Sequence, residues 1–270
     1  MMARRSGLSE YDYDAVVVGS GPNGLAAAIT LAREKRSVLL LEAADTVGGG
    51  TRTKELTLPG FRHDVCSAVH PLGAASPFFR SLDLAGHGLE WVYPPIPLAH
   101  PLDKDEAVLL ERSVTGTARG LGGDAYPYAR LMEPFVEHWE QLVEDLLKPL
   151  GFPAHPLTSL PFSLKGILSA RAVADQWFAE KRARALFAGN ACHSILPMEN
   201  VSSGAFGLML SILGHAVGWP LVKGGSQALA DALVSCLKSL GGHVALNTPV
   251  SSMSELPRSR VVLFDVSPQQ

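Results

Sequence analysis

The residues best arranged to do chemistry lie near the start of the chain. Gly19-Ser20-Gly21-Pro22-Asn23-Gly24 has the spacing GxGxxG, and an acid, Glu42, follows. In a dinucleotide site that acid sits about 20 residues past the glycines. Each residue type has a physical task. Gly19 permits a tight turn, Gly21 removes a Cβ from the approach to a pyrophosphate, and Gly24 lets a helix pack closely on its strand. Pro22 and Asn23 open that helix, whose first N–H groups and positive end face the phosphates. Glu42 can accept hydrogen bonds from both ribose hydroxyls and disfavours a ribose carrying a 2′-phosphate. A second cluster, Gly48-Gly49-Gly50-Thr51-Arg52, follows at once. A nicotinamide site has no need of it, whereas the longer flavin dinucleotide has a ribityl chain and pyrophosphate that such a loop can cover from the other side.

Little else in the chain has the spacing of a reactive site. Cys66, Cys192 and Cys236 lie far apart with no CxxC, which excludes a dithiol centre and a disulfide framework and suits a reducing cytoplasm. Ser226 is not a nucleophile elbow, because Ala228 stands where GxSxG needs its last glycine. His215 has no partner at metal-ligand spacing, and no metal site is expected. A net charge of -3 argues against a nucleic-acid surface, and 47% hydrophobic with 18% charged residues is a globular composition.

The elements that must position the glycines read clearly. Ala15-Val16-Val17-Val18 is a β-branched run typical of a strand buried on both faces, an Ala/Leu-rich helix runs from Leu25 to about Glu34, and Val38-Leu39-Leu40-Leu41 is a second strand ending on Glu42. Residues 1–14 are polar without an apolar h-region, so no export signal is read there and a short disordered lead-in is expected.

Glu42-Ala43-Ala44-Asp45-Thr46-Val47-Gly48-Gly49-Gly50-Thr51-Arg52 resembles the corresponding loop of the FAD-dependent phytoene desaturase and carotenoid isomerase-like oxidoreductases, relatives of the amine oxidases. The resemblance implies FAD as cofactor and hydride transfer between an apolar, polyene or lipophilic substrate and the flavin. It implies an α/β fold, with a Rossmann-like FAD-binding domain at 15–75 and 241–270 and an inserted, mainly helical substrate domain at 76–240. The dinucleotide contacts it assigns are Gly19, Gly21, Pro22, Asn23, Gly24, Glu42, Ala43, Gly49, Gly50, Thr51 and Arg52, with the arginine displaced from the family's position by Gly50 and Thr51. Asn247-Thr248-Pro249-Val250 resembles the segment whose valine backbone meets the adenine. His70 is expected on the flavin side or as a buried, backbone-bonded histidine, and Gly224-Gly225 as a turn that returns the chain to the nucleotide domain past the ring. The catalytic residue stays unassigned, since the flavin carries the reaction.

The pattern covers only the family's N-terminal half, which implies a fragment, a truncated product or one half of a split enzyme with a second polypeptide as partner. Two further readings stand beside it: an NAD-dependent dehydrogenase, and a non-catalytic nucleotide-binding remnant. A cytoplasmic location with peripheral membrane contact is compatible with a lipophilic substrate.

Between these segments the pattern predicts a hairpin or small sheet with Leu89–Tyr93 and Ala107–Leu110 as its arms and a polar turn, Asp103–Glu106, just before the second. Helices are expected at Tyr126–Lys148 (interrupted at Pro134), Leu164–Val173 and Gln176–Ala188, with Phe152–Pro161 as a proline-rich connector. From Asn200 to Val222 there is no Asp, Glu, Lys or Arg. That stretch is long enough for a membrane span, but its glycines, His215 and Pro220 favour a helix lining an apolar pocket. A further helix is expected from Lys223–Gln227 to Leu240, then strands at Val244–Leu246 and Val261–Val266.

Overall fold

A computed structural model describes residues 12–103, 106–149 and 151–267. The lead-in expected at 1–14 therefore falls mostly outside the described residues; its last two, Tyr13 and Asp14, already belong to the first strand. The chain divides into two compact units, one formed by 1–68, 82–91 and 221–270, the other by 69–81 and 92–220.

The first unit is α/β with a parallel sheet. Strand β1 (Tyr13–Val18) lies at its centre, flanked by β2 (Val38–Leu41) and by Ser259–Phe264, with His243–Ala245 outside β2. Ala15 sits opposite Val38 on one side and Val261 on the other, so the β-branched run of β1 is enclosed by apolar neighbours. Helix α1 (Pro22–Arg33) connects β1 to β2 and packs against the helix Gln227–Ser239. That second helix ends at Gly241, whose φ of 86° is the left-handed conformation of a helix terminus, with the Gly241 and Gly242 N–H groups donating to Lys238 and Leu237 carbonyls. The unit boundaries differ from those read from the sequence: residues 82–91 and 221–240 join the dinucleotide unit, because the apolar face of Gln227–Ser239 is buried against α1.

The second unit is mainly helical. Its hub is the helix Ser203–Ala216, packed by Lys181–Ala191, Ala125–Glu137, Pro156–Gly166 and Ala170–Trp177. At 14 residues, buried on almost every side, that helix accounts for the uncharged stretch as core. Among the described residues no helix is long and apolar enough to cross a membrane.

Several sequence expectations need correction here. The hairpin pairs Leu98–Pro101, not Leu89–Tyr93, with Ala107–Leu110; Leu98 faces Leu110, and Pro101 takes the last position, where a missing N–H is tolerated. Pro134 does not interrupt its helix, which runs through it and breaks at His138 before Trp139–Leu146. Phe152–Pro161 is not simply a connector. Pro156 starts the helix Pro156–Gly166 at a position that needs no N–H, and Pro161 is accommodated inside.

Candidate dinucleotide site

Where β1 ends, the chain turns through Gly19 at φ 102°. A Cβ there would stand 2.2 Å from the Asp265 carbonyl oxygen, and one on Gly24 2.2 Å from the Gly19 carbonyl oxygen. Gly19 is thus required by its left-handed turn and by the backbone of Asp265 beside it, and Gly24 by the close packing of helix on strand. Pro22 occupies the first position of α1, where its missing N–H costs nothing, and Asn23 the second. The first-turn N–H groups of α1 have no intrahelical acceptor and carry the positive end of the helix dipole.

The second glycine loop lies against the first. Gly49 has φ 53°, and a Cβ on it would come within 3.1 Å of the Gly21 Cα. Gly49, Gly50 and Thr51 form a single 3-10 turn, preceded by Gly48 at φ 118°. Gly48 also has the helix behind it, since its Cβ would sit 3.0 Å from that of Ala230. Thr51 is buried and gives its N–H and its hydroxyl to the Gly48 carbonyl, at 2.8 and 2.7 Å. Arg52 turns back on the same loop, its Nε donating to the Gly49 carbonyl at 2.8 Å. In this arrangement Thr51 and Arg52 hold the shape of the loop that presents Gly49 and the exposed Gly50.

Glu42 crosses between the two turns. Its Oε2 accepts from the Ser20 N–H at 3.0 Å and from the Ser20 hydroxyl, and its Oε1 from the Ala44 N–H at 2.9 Å. Oε2 is thereby filled, while Oε1 keeps a lone-pair direction for a further donor such as a ribose hydroxyl. Ala43 beside it is exposed. The segment carrying Val250 is brought to the same end of β2, the Thr248 N–H donating to the Glu42 carbonyl at 2.8 Å and Asn247 to Ala44 at 2.9 Å. Val250 packs on Val16, Val18 and Leu41.

Two participants escape a reading of motifs. Ser20, fully buried, links all three parts: besides its bonds to Glu42, its carbonyl and hydroxyl accept from the Gly48 N–H at 3.0 and 3.2 Å. It occupies a variable position of the motif, so spacing carries no signal for it. Asp265 closes the Ser259–Phe264 strand, and its Oδ2 accepts from the Gly24 N–H at 2.7 Å, serving the helix as the N-terminal cap that Gly21 cannot supply. The only available hint was an acid at the carboxyl end of a parallel strand, where such sheets bind ligands.

The Lys223–Gln227 turn returns to this unit. Asp64 Oδ1 accepts from the Thr53 hydroxyl at 2.6 Å and the Ser226 N–H at 2.8 Å, the Ser226 hydroxyl donates to the Ser67 carbonyl, and Gln227 Nε2 reaches the Val47 carbonyl at 3.1 Å. Gly225 is required by Thr53, whose Oγ1 lies 2.5 Å from the position of a Cβ, while Gly224 faces open space. His70 belongs to the helical unit; it is buried, with its N–H donating to the Pro220 carbonyl at 2.9 Å. His215, also there, bonds through Nε2 to the Tyr128 hydroxyl at 2.8 Å, and burial pushes its pKa down to about 4 although the Arg112 and Glu111 backbone favours the charged form. Among the described residues no cluster could hold a metal, and all three cysteines are free.

Comparison with known proteins places this geometry in context. Residues 17–83 match the NAD(P)-binding Rossmann-like domain. Over 98% of its length the chain is 25% identical to the rat pyridine nucleotide-disulfide oxidoreductase domain-containing protein 2, covering 55% of that protein. Over 82% of its length it is 29% identical to one of the limonene dehydrogenase polypeptides of Castellaniella defragrans, covering 42% of it. Its fold is shared by cyclohexylamine oxidase from Brevibacterium oxydans, with a TM-score of 0.57 and 17% identity over 95% of this chain and 58% of that one. The chain spans about half the length of the curated relatives it matches. The fold is thus one shared with that amine oxidase, with an NAD(P)-binding Rossmann-like domain at 17–83.

Proposed function

We propose that this chain supplies the cofactor-binding part of an FAD-dependent oxidoreductase that acts on an apolar substrate. The observation that carries the proposal is the contact of Gly49 with Gly21, with Ser20 and Glu42 locked between them. A side chain on Gly49 would enter that contact, and one on Gly21 would meet the Asp265 carboxylate at 2.9 Å, so the two turns bring backbone alone to the edge of one space. The space suits a diphosphate: peptide N–H groups and a helix N-terminus on one side, a loop on the other, and a ribose acceptor at the edge. Gly21, Asn23, Gly49 and Gly50 would line the pyrophosphate, Glu42 and Ala43 the ribose, and Val250 the adenine side. Bound there, FAD would supply the hydride acceptor. The protein would contribute orientation, the fixed carboxylate and the exclusion of water. A lipophilic substrate is supported by the name of the limonene relative.

The visible spectrum of the purified chain, as isolated and after addition of FAD, tests this reading. Retained flavin absorbance is the expected result. A colourless chain that leaves FAD free but binds NADH would replace the proposal with a nicotinamide-dependent dehydrogenase.

A further inference from the structure

The two carboxylate oxygens of Glu42 are unequally engaged. Oε2 takes both donors of one residue, the Ser20 N–H at 3.0 Å and the Ser20 hydroxyl, whereas Oε1 takes only the Ala44 N–H at 2.9 Å. Each carboxylate oxygen has two lone-pair directions, so Oε2 is saturated and Oε1 has one acceptor direction left. The vicinal hydroxyls of a ribose are spaced to meet both oxygens of a carboxylate, and the sequence position of Glu42 leads one to expect both contacts. With Oε2 taken, a single hydroxyl can be served.

Ser20 is held in that role from both sides. Its side chain is fully buried, between a carboxylate that can only accept and the Gly48 N–H, which can only donate and reaches Oγ at 3.2 Å. The hydroxyl proton therefore goes to Glu42 and an oxygen lone pair to Gly48. Turning the hydroxyl toward a ligand would leave both partners short in a buried place, which is costly. The backbone is tied separately, because the Ser20 carbonyl accepts from the same Gly48 N–H at 3.0 Å and the Ser20 N–H stays on Glu42. The hydroxyl alone decides whether Oε2 is open to a ligand.

We propose that Ser20 is a specificity-determining residue of this site: it restricts Glu42 to one of the two ribose hydroxyls, so that binding depends on that hydroxyl and is indifferent to the other. Ser20 acts through the carboxylate and is a positioning residue. The inference rests on the dinucleotide reading of the space beside Gly21 and Gly49, but not on the flavin, since FAD and NAD share the adenosine diphosphate half.

Calorimetric titration of the full chain with ADP, 2′-deoxy-ADP and 3′-deoxy-ADP tests it. One deoxy analogue should bind about tenfold or more weaker than ADP, as expected for losing a hydrogen bond to a charged acceptor, and the other within about twofold of it. Ser20→Ala opens Oε2 and keeps both backbone ties, so the second analogue should now also fall about fivefold or more behind ADP. Ser20→Gly removes the same hydroxyl and should give the same ratios; circular dichroism verifies that the variants fold. A purely structural role for Ser20 would move all three ligands together and leave their ratios unchanged. Comparable losses for both analogues in the parent overturn the proposal, as does no loss for either, failure of ADP to bind, or unchanged ratios in a folded variant. Flavin absorbance is read separately. A chain that holds FAD without these ratios loses this inference alone, and one that shows them without holding FAD loses only the flavin assignment.

Discussion

Replacing Gly49 by alanine separates the two demands that the structure makes on that residue. The backbone there has φ 53°, a conformation that costs a non-glycine residue about 1–2 kcal/mol. The new Cβ would also stand 3.1 Å from the Gly21 Cα, which is backbone and cannot rotate away. Either the loop lifts or the gap over Gly21 fills, and both outcomes reach the bound diphosphate directly. Gly241 is the control: at φ 86° it makes the same backbone demand, but nothing lies within 4 Å of its Cβ position. Urea unfolding should therefore show Gly241→Ala losing about 1–2 kcal/mol and Gly49→Ala at least as much. Titration with FAD, followed by flavin fluorescence, should show at least about tenfold weaker binding for Gly49→Ala alone, since about 1.4 kcal/mol lost at the ligand suffices. A folded Gly49→Ala that binds FAD like the parent would refute the reasoning, as would an equal loss in Gly241→Ala.

Other substitutions probe the supporting groups. Asp265→Asn preserves an acceptor for the Gly24 N–H but removes a negative charge beside the helix N-terminus; FAD binding at low salt should tighten several-fold, and unchanged or weaker binding would show that the charge is not felt at the site. The buried His215 has a folded pKa of about 4 against 6.5 when unfolded. The unfolded chain therefore takes up a proton first, and stability falls as pH drops from above 6.5 through 4, by on the order of 3 kcal/mol from this group. His215→Gln should remove that component, so the difference in unfolding free energy between parent and variant should shrink as pH falls; a difference constant from pH 7 to 4 would contradict it. Arg112 spans the last turn of Ser203–Ala216, donating to the His215, Ala216 and Val217 carbonyls at 3.1, 2.8 and 2.9 Å. Arg112→Met should cost about 1–3 kcal/mol in thermal or urea unfolding with FAD affinity unchanged.

The sequence was most informative where a residue's type is dictated by its own backbone. Gly19, Gly24 and the β-branched run at Val16–Val18 read correctly because a tight turn and a strand buried on both faces leave few alternatives. Glu42 lies at the end of β2, where the apolar run before it places it. The ties made by Ser20 and Asp265 were not, because they depend on segments 28 and 241 positions away in the chain meeting at one point. Proline misled the helical reading in both directions. Pro134 reads as a break, yet the helix continues through it, and Pro156 and Pro161 read as a connector although both lie within a helix. At Pro134 and Pro161 tertiary packing outweighed the local cost of a missing N–H, whereas at the helix start Pro156 incurs none. The hairpin was misassigned because Leu89–Tyr93 is the more apolar arm, whereas pairing selected Leu98–Pro101, which lies nearer to Ala107.

The central claim is that two glycine turns and one carboxylate close around the diphosphate and ribose that distinguish FAD from its mononucleotide. Parallel fluorescence titrations with FAD and FMN measure this directly. The account predicts FAD binding at least about tenfold tighter than FMN, which lacks the adenosine half that Glu42 and Val250 would meet. Equal affinity for the two flavins, or affinity for neither, would contradict it.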